Sequence, residues 1–189
     1  MKKKLLIFPL FLFTLFLSSC KDEEPRWRED MEHHYYVHFN PWNNTKQTIK
    51  KNAEPVELEV QFESAFTRDY NAEVSLFVKS VQLVSGGIVT AEPAVYGTDF
   101  VVTDEKGTEL TVSSGAIKIT FEQAKKQVKK FYVKPLNNSA ATGSVYVRLD
   151  FTPGNADATD LETLINTETT QYTVSGTSQS YSRPIQINP

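Results

Sequence analysis

One cysteine stands in the 189 residues, so no intramolecular disulfide forms and no cysteine pair holds a metal. Histidine is nearly as scarce: three in all, at His33, His34 and His38. On a strand His34 and His38 share a face about 13 Å apart, too far to ligate one ion together. His33 and His34 point opposite ways, so the three are expected to be polar residues at a strand edge. Nucleophile elbow, phosphate-binding loop, zinc-protease and dinucleotide motifs are all missing. No catalytic residue, metal site or cofactor is therefore assigned. The chain also lacks positive charge. Its formal balance is −3, and removing residues 1–19, with three lysines and no acids, leaves 170 residues at −6. That excludes nucleic acid as a partner, because phosphate binding needs a basic surface. It equally excludes electrostatic docking on anionic lipid.

What the sequence does hold begins at its start. Lys2, Lys3 and Lys4 precede an apolar run, Leu5 to Leu17, interrupted only by Pro9 and Thr14. Thirteen residues fall short of the roughly 20 that cross a bilayer, so residues 1–19 read as a signal peptide. Leu17-Ser18-Ser19-Cys20 resembles the bacterial lipobox. The resemblance implies cleavage before Cys20, acylation of its thiol and amino group, and attachment to a membrane through that lipid. Lys21-Asp22-Glu23-Glu24 then resembles the surface-export signal of Bacteroidota lipoproteins. Together they imply an outer-membrane lipoprotein exposed on the cell surface. Residues 20–33, charged and carrying Pro25, read as a tether, and 34–189 as a single domain.

The domain alternates as strands do. His34 to Phe39 is a short aromatic strand ending at the turn residues 40–45, and 46–55 reads as loop. Val56, Leu58, Val60 and Phe62 fall on one face, with Glu57, Glu59 and Gln61 on the other. Val74, Leu76 and Val78, then Ile117, Ile119 and Phe121, repeat the pattern. So do Val145, Val147, Leu149 and Phe151, with Tyr146, Arg148 and Asp150 on the wet face. Tyr172 to Val174 and Ile185 to Ile187 are weaker closing strands. Phe121, Ala124, Val128 and Phe131 recur at helical spacing, but 129–134 has β composition and Pro135 follows. A turn at 122–126 followed by a strand fits better than a helix. Asp160 to Ile165 reads as one or two helical turns decorating a loop. Seven or more short strands predict an all-β, antiparallel, immunoglobulin-like sandwich.

From Pro93 to Phe151 the order is Ala94-x-x-Gly97-x-Asp99-Phe100, a turn, Ile117-x-Ile119-x-Phe121, a polar turn, Val128-x-x-Phe131-x-Val133 and the strand Val145 to Phe151. This resembles the Calx-β domain and the sandwich domains of Bacteroidota lipoproteins, and implies that fold. Calcium-binding members place acids on the loop after the strand ending near Val133. Here that loop, Pro135 to Ser139, holds no carboxylate. Asp157, Asp160 and Glu162 lack the spacing of a calcium loop and read as solvated charge.

Loop aromatics carry the binding hypothesis. Trp42, with Asn43 and Asn44 beside it, and Tyr96 suit a ligand whose apolar face stacks on a ring while amides meet its hydroxyls. The alternative use of each ring is to plug an end of the sandwich, which is the favoured reading for Tyr70 and Tyr96. A non-catalytic surface binding or assembly module follows, taking a glycan or a protein of an outer-membrane complex. The alternatives are a calcium-stabilised structural or adhesion module and, behind it, a glycan hydrolase.

Overall fold

Two sheets face each other in the computed structural model, which describes residues 32–79, 92–153 and 164–189. Cys20, Lys21, Asp22, Glu23, Glu24 and the acids at 157–162 lie outside the described residues. In chain order the strands are β1 His34–Asn40, β2 Gln47–Lys50, β3 Val56–Glu63, β4 Ala72–Lys79, β5 Glu92–Pro93 and β6 Phe100–Asp104. They continue with β7 Ala116–Phe121, β8 Gln127–Pro135, β9 Val145–Asp150, β10 Ile165–Glu168, β11 Thr173–Gly176 and β12 Ser182–Asn188. One sheet runs β10-β11-β1-β3-β8-β6, the other β2-β12-β9-β4-β7, with β5 paired to β9. The protein is thus an all-β sandwich.

The alternating pattern explains why these segments pair and which side they bury. Leu58, Val60 and Phe62 of β3 are buried, as are Val74 and Leu76 of β4, while Glu57 and Glu59 face out. Rings tie the sheets together: Phe62 stacks on Phe121 and Phe39 meets Phe151, each pair with centroids 4.6 Å apart. Burying each such side chain contributes about 1.5–3 kcal/mol. The helical spacing at 121–131 gives way to a 3-10 turn, Glu122–Ala124, in which Gln123 has φ 58, before β8 begins.

Three expectations need correction. The sheets are mixed, not wholly antiparallel, since β1 and β11, β2 and β12, and β5 and β9 pair in parallel. Residues 47–50, read as loop, form β2 by pairing with β12, and Ile49 packs on the core. Four residues with a single apolar side chain, Ile49, do not specify a strand by themselves; the neighbour does. Finally, β9 has no wet face. Arg148 and Asp150 are buried, with Arg148 Nε 3.0 Å and Lys79 Nζ 3.3 Å from Asp150 Oδ2. Opposite charges and the Thr152 backbone amide, 2.6 Å from Asp150 Oδ1, compensate the carboxylate that burial would otherwise disfavour.

Candidate functional site

The site grows from the last residues of β1. Tyr35, Val37 and Phe39 enter the core, so His34, Tyr36 and His38 are left on the outer face of the sheet. The chain then turns at Pro41 to Asn44 after a cis Asn40-Pro41 bond. The Asn43 amide donates to the Pro41 carbonyl at 2.8 Å, and the Thr45 amide to Asn43 Oδ1 at 3.1 Å.

Two distant segments hold this turn. From β12, the buried Arg183 guanidinium donates to the Pro41 and Asn43 carbonyls and sits 4.9 Å from the centre of the Phe39 ring. Burial pulls its pKa down to about 10, so it remains charged at neutral pH. The Ser182 amide donates to Asn44 Oδ1 at 3.1 Å. The loop between β11 and β12 is fastened by the Phe39 amide, which donates to the Ser180 carbonyl at 2.9 Å, and by the Ser180 hydroxyl, which donates to the Phe39 carbonyl.

That framework sets Trp42 over His38, ring centroids 4.3 Å apart. The indole stays 54% exposed while His38 is 0% exposed. Beside them opens a pocket of about 410 Å3 lined by Tyr36, His38, Trp42, Glu63, Thr177, Ser178 and Gln179. His38 Nδ1 lies 3.2 Å from the Phe39 carbonyl, and only a protonated nitrogen donates to a carbonyl. Its Nε2 lies 3.6 Å from Glu63 Oε1. Burial opposes ionisation of Glu63. Lys126, 2.8 Å away, together with His38 and Gln61, more than offsets this and holds the carboxyl below its ordinary range.

Polar atoms buried without a partner are few in native proteins. Setting aside Arg68, Arg148, the Asp150 carboxylate that faces two cations and His38 Nε2, which faces Glu63, the one found among the described residues is Thr177 Oγ1. It belongs to a residue lining the Trp42 pocket. A second cleft, about 390 Å3 beside β7 and β8, offers nothing comparable. Its Lys129 is paired with Glu122, and its Lys130 with Glu57 and Glu59.

The residues singled out from sequence separate here. Trp42 faces the pocket. Asn43 and Asn44 stand beside it but spend their side-chain oxygens on the turn and on β12. Tyr96 is elsewhere, near β6, three strands from β1. Its hydroxyl bonds the Leu110 carbonyl at 2.5 Å, and the Val102 amide donates to it at 3.3 Å. Tyr70 stacks on Tyr172 at 5.6 Å and bonds Tyr35, and burial with that bond pushes its phenol pKa up. His38, expected at a polar strand edge, is instead fully buried, because β1 lies inside its sheet and Trp42 covers the outer face. The parity of His34-x-Tyr36-x-His38 was the available signal that an aromatic surface leads up to Trp42. Nothing local announced Arg183 or Thr177. Among the described residues no group of three His, Cys, Asp or Glu side chains is placed to hold a metal.

No family model and no curated sequence matches this chain. Among solved structures it is similar to the apo form of the Calx CBD1 domain, with a TM-score of 0.42 and 13% identity, over 82% of this chain and 98% of that one. It is also similar to the seventh ScaB type I cohesin from Pseudobacteroides cellulosolvens, with a TM-score of 0.36 and 11% identity, over 82% and 92%. The sandwich assignment rests on the two sheets themselves, and neither likeness says what this chain binds.

Proposed function

We propose that this protein is a lipid-anchored, cell-surface binding module that takes a carbohydrate on Trp42. The observation that carries the reading is the Trp42 ring, 54% exposed, lining a pocket with the polar side chains of Glu63, Ser178 and Gln179. A sugar offers an apolar C–H face for such a ring and hydroxyls for such side chains. The turn is already braced by Arg183, so little ordering remains to be done on binding. Among the residues lining the pocket the carboxylate is Glu63, engaged by Lys126. Glycoside hydrolysis needs two carboxylates flanking the bond, so binding fits the site better than turnover.

The anchor belongs to the same proposal and rests on the sequence: Lys2 to Lys4, the apolar run, Leu17 to Cys20 and the acidic Asp22-Glu23-Glu24. The protein then stands on the outer face of the outer membrane, where a polysaccharide or a partner in an uptake complex is within reach.

Two measurements test this. Full-length protein extracted from outer membranes is screened on an array of neutral and acidic glycans, and binding is expected to vanish in Trp42→Ala. Glycan binding untouched by that change removes the site. Acyl labelling is expected on the wild type and absent in Cys20→Ala; equal labelling removes the anchor.

A further inference from the structure

We infer that the Trp42 pocket holds two consecutive units of a linear glycan, one against Trp42 and the next against Tyr36, and so takes a chain in preference to a single sugar. This rests on Trp42 being a sugar platform and adds the length of ligand that the platform takes.

The rings set the count. Tyr36 and His38 leave β1 on the same outer face, two residues apart, a step of about 6.6 Å along an extended strand. Trp42 lies over His38, ring centroids 4.3 Å apart, so the indole replaces the buried imidazole as the surface at that position. His34 stacks on Tyr36 from the other direction along the strand, at 5.1 Å and 28°. Each imidazole thus backs one ring, and both backed rings line the pocket. A pyranose laid on the indole leaves the phenol uncovered. The next unit of a chain covers it.

The flanks run the same way. In the sheet β1 lies between β11 and β3. Glu63 lines the pocket from β3, and Ser178 and Gln179 line it from the loop that follows β11. Ser178 is half-buried and Gln179 exposed, so both meet a ligand from solvent. Rings along β1 with hydrogen-bonding side chains on either side make a trough parallel to the strand, which suits a chain better than a compact sugar. Its volume, about 410 Å3, falls within the roughly 300–1,000 Å3 of sites for drug-sized ligands, and one hexose is smaller than those. Trp42 and the Gln179 loop are also fastened to one piece of backbone, because the Ser180 hydroxyl donates to the Phe39 and Pro41 carbonyls. Little is left to order when a chain arrives. Ring faces and hydroxyl partners serve neutral and acidic units alike, so length is what the trough selects.

Isothermal titration calorimetry of the full-length protein, extracted from outer membranes, tests this. The probes are cello-, malto-, manno-, N-acetylchito- and galacturono-oligosaccharides of increasing length, each series beginning with its monosaccharide. In a series that binds, the disaccharide is expected to bind about tenfold more tightly than the monosaccharide, with little gain beyond the trisaccharide. Tyr36→Leu, which keeps an apolar side chain without the ring, should weaken the disaccharide about three- to tenfold at unchanged melting temperature. It should leave any monosaccharide binding as it was. Tyr36→Phe, which keeps the ring, should bind as the wild type does, and Trp42→Ala should abolish binding of every length. A monosaccharide that binds as tightly as its disaccharide, and depends on Trp42, overturns this inference and leaves the sugar platform standing. So does a Tyr36→Leu variant that binds the disaccharide as the wild type does. Binding of no series, or binding that ignores Trp42→Ala, overturns both readings.

Discussion

Trp42 and Tyr96 are each an aromatic ring set in a turn of small and polar residues, and the fold uses them in opposite ways. Tyr96 is closed off. Its hydroxyl is spent on Leu110 and Val102, its ring stands edge-on to Phe100 at 5.4 Å and 83°, and it packs against the core. The turn around it is pinned by the buried Asp99, which accepts from the Val95 amide and from Asn138 Nδ2, both at 2.7 Å. Gly97, at φ +77, supplies the left-handed step that other residues adopt only with strain. Trp42 is the reverse: its turn is braced from behind by Arg183, and its ring lies over a buried histidine with half its surface in solvent. One turn fixes its aromatic; the other is fixed so that its aromatic stays available.

Arg183→Met attacks that bracing directly and should have the largest effect. It strands the Pro41 and Asn43 carbonyls and removes the cation from Phe39, for a loss of about 3 kcal/mol in urea unfolding together with loss of ligand binding. A loss below about 1 kcal/mol would mean the turn holds itself.

Tyr96→Phe comes next. Removing a hydroxyl that both donates and accepts should cost about 1–2 kcal/mol and leave binding as it was. Reduced glycan affinity in this variant would join the two turns into one site and dissolve the contrast.

Trp42→Ala should cost less than about 1 kcal/mol of stability while abolishing binding. If its melting temperature instead falls as far as that of Arg183→Met, the ring is structural.

The smallest effect is one of pH. Glu63 has a folded-state pKa below its ordinary 4.5, so the stability it contributes is fully present above that value. It is lost as pH falls through the lower folded value, where the folded carboxylate also takes up its proton. Glu63→Gln should therefore flatten the decline in stability below pH 4.5, measured by thermal melts at stepped pH. An unchanged slope would show that Lys126 and Glu63 do not pair in solution.

Legibility from sequence followed physical range. Where one face of a strand is buried, alternation alone exposed it, as at Val56 to Phe62 and Ile117 to Phe121. The same rule misread Tyr146, Arg148 and Asp150 as wet, because Arg148 and Asp150 compensate each other, Lys79 of β4 adds a second cation, and all three side chains are buried. Trp42 is picked out by its polar turn, while Tyr96, in a similar turn, already reads as an end plug, as its packing on the core shows. The pocket's other members were invisible for a plainer reason. No motif or spacing in the sequence sets Glu63 or Thr177 apart from its neighbours.

The sequence by itself determined which side of each regular strand turns inward, because a two-residue period is a property of the extended backbone and needs no partner. It also holds the apolar run of Leu5 to Leu17, the lone Cys20 and the acidic run that follows it. Tertiary structure alone decided the strand partners: β1 beside β11, and β2 drawn out of loop-like residues by β12. It also decided which polar atoms found partners and which did not. Arg183 meets the turn of Asn43 across 140 residues, and the hydrogen-bonding needs of His38 and Thr177 are set by what the folded chain brings near. Burial and hydrogen-bond satisfaction belong to neighbours in space, and no local pattern encodes them.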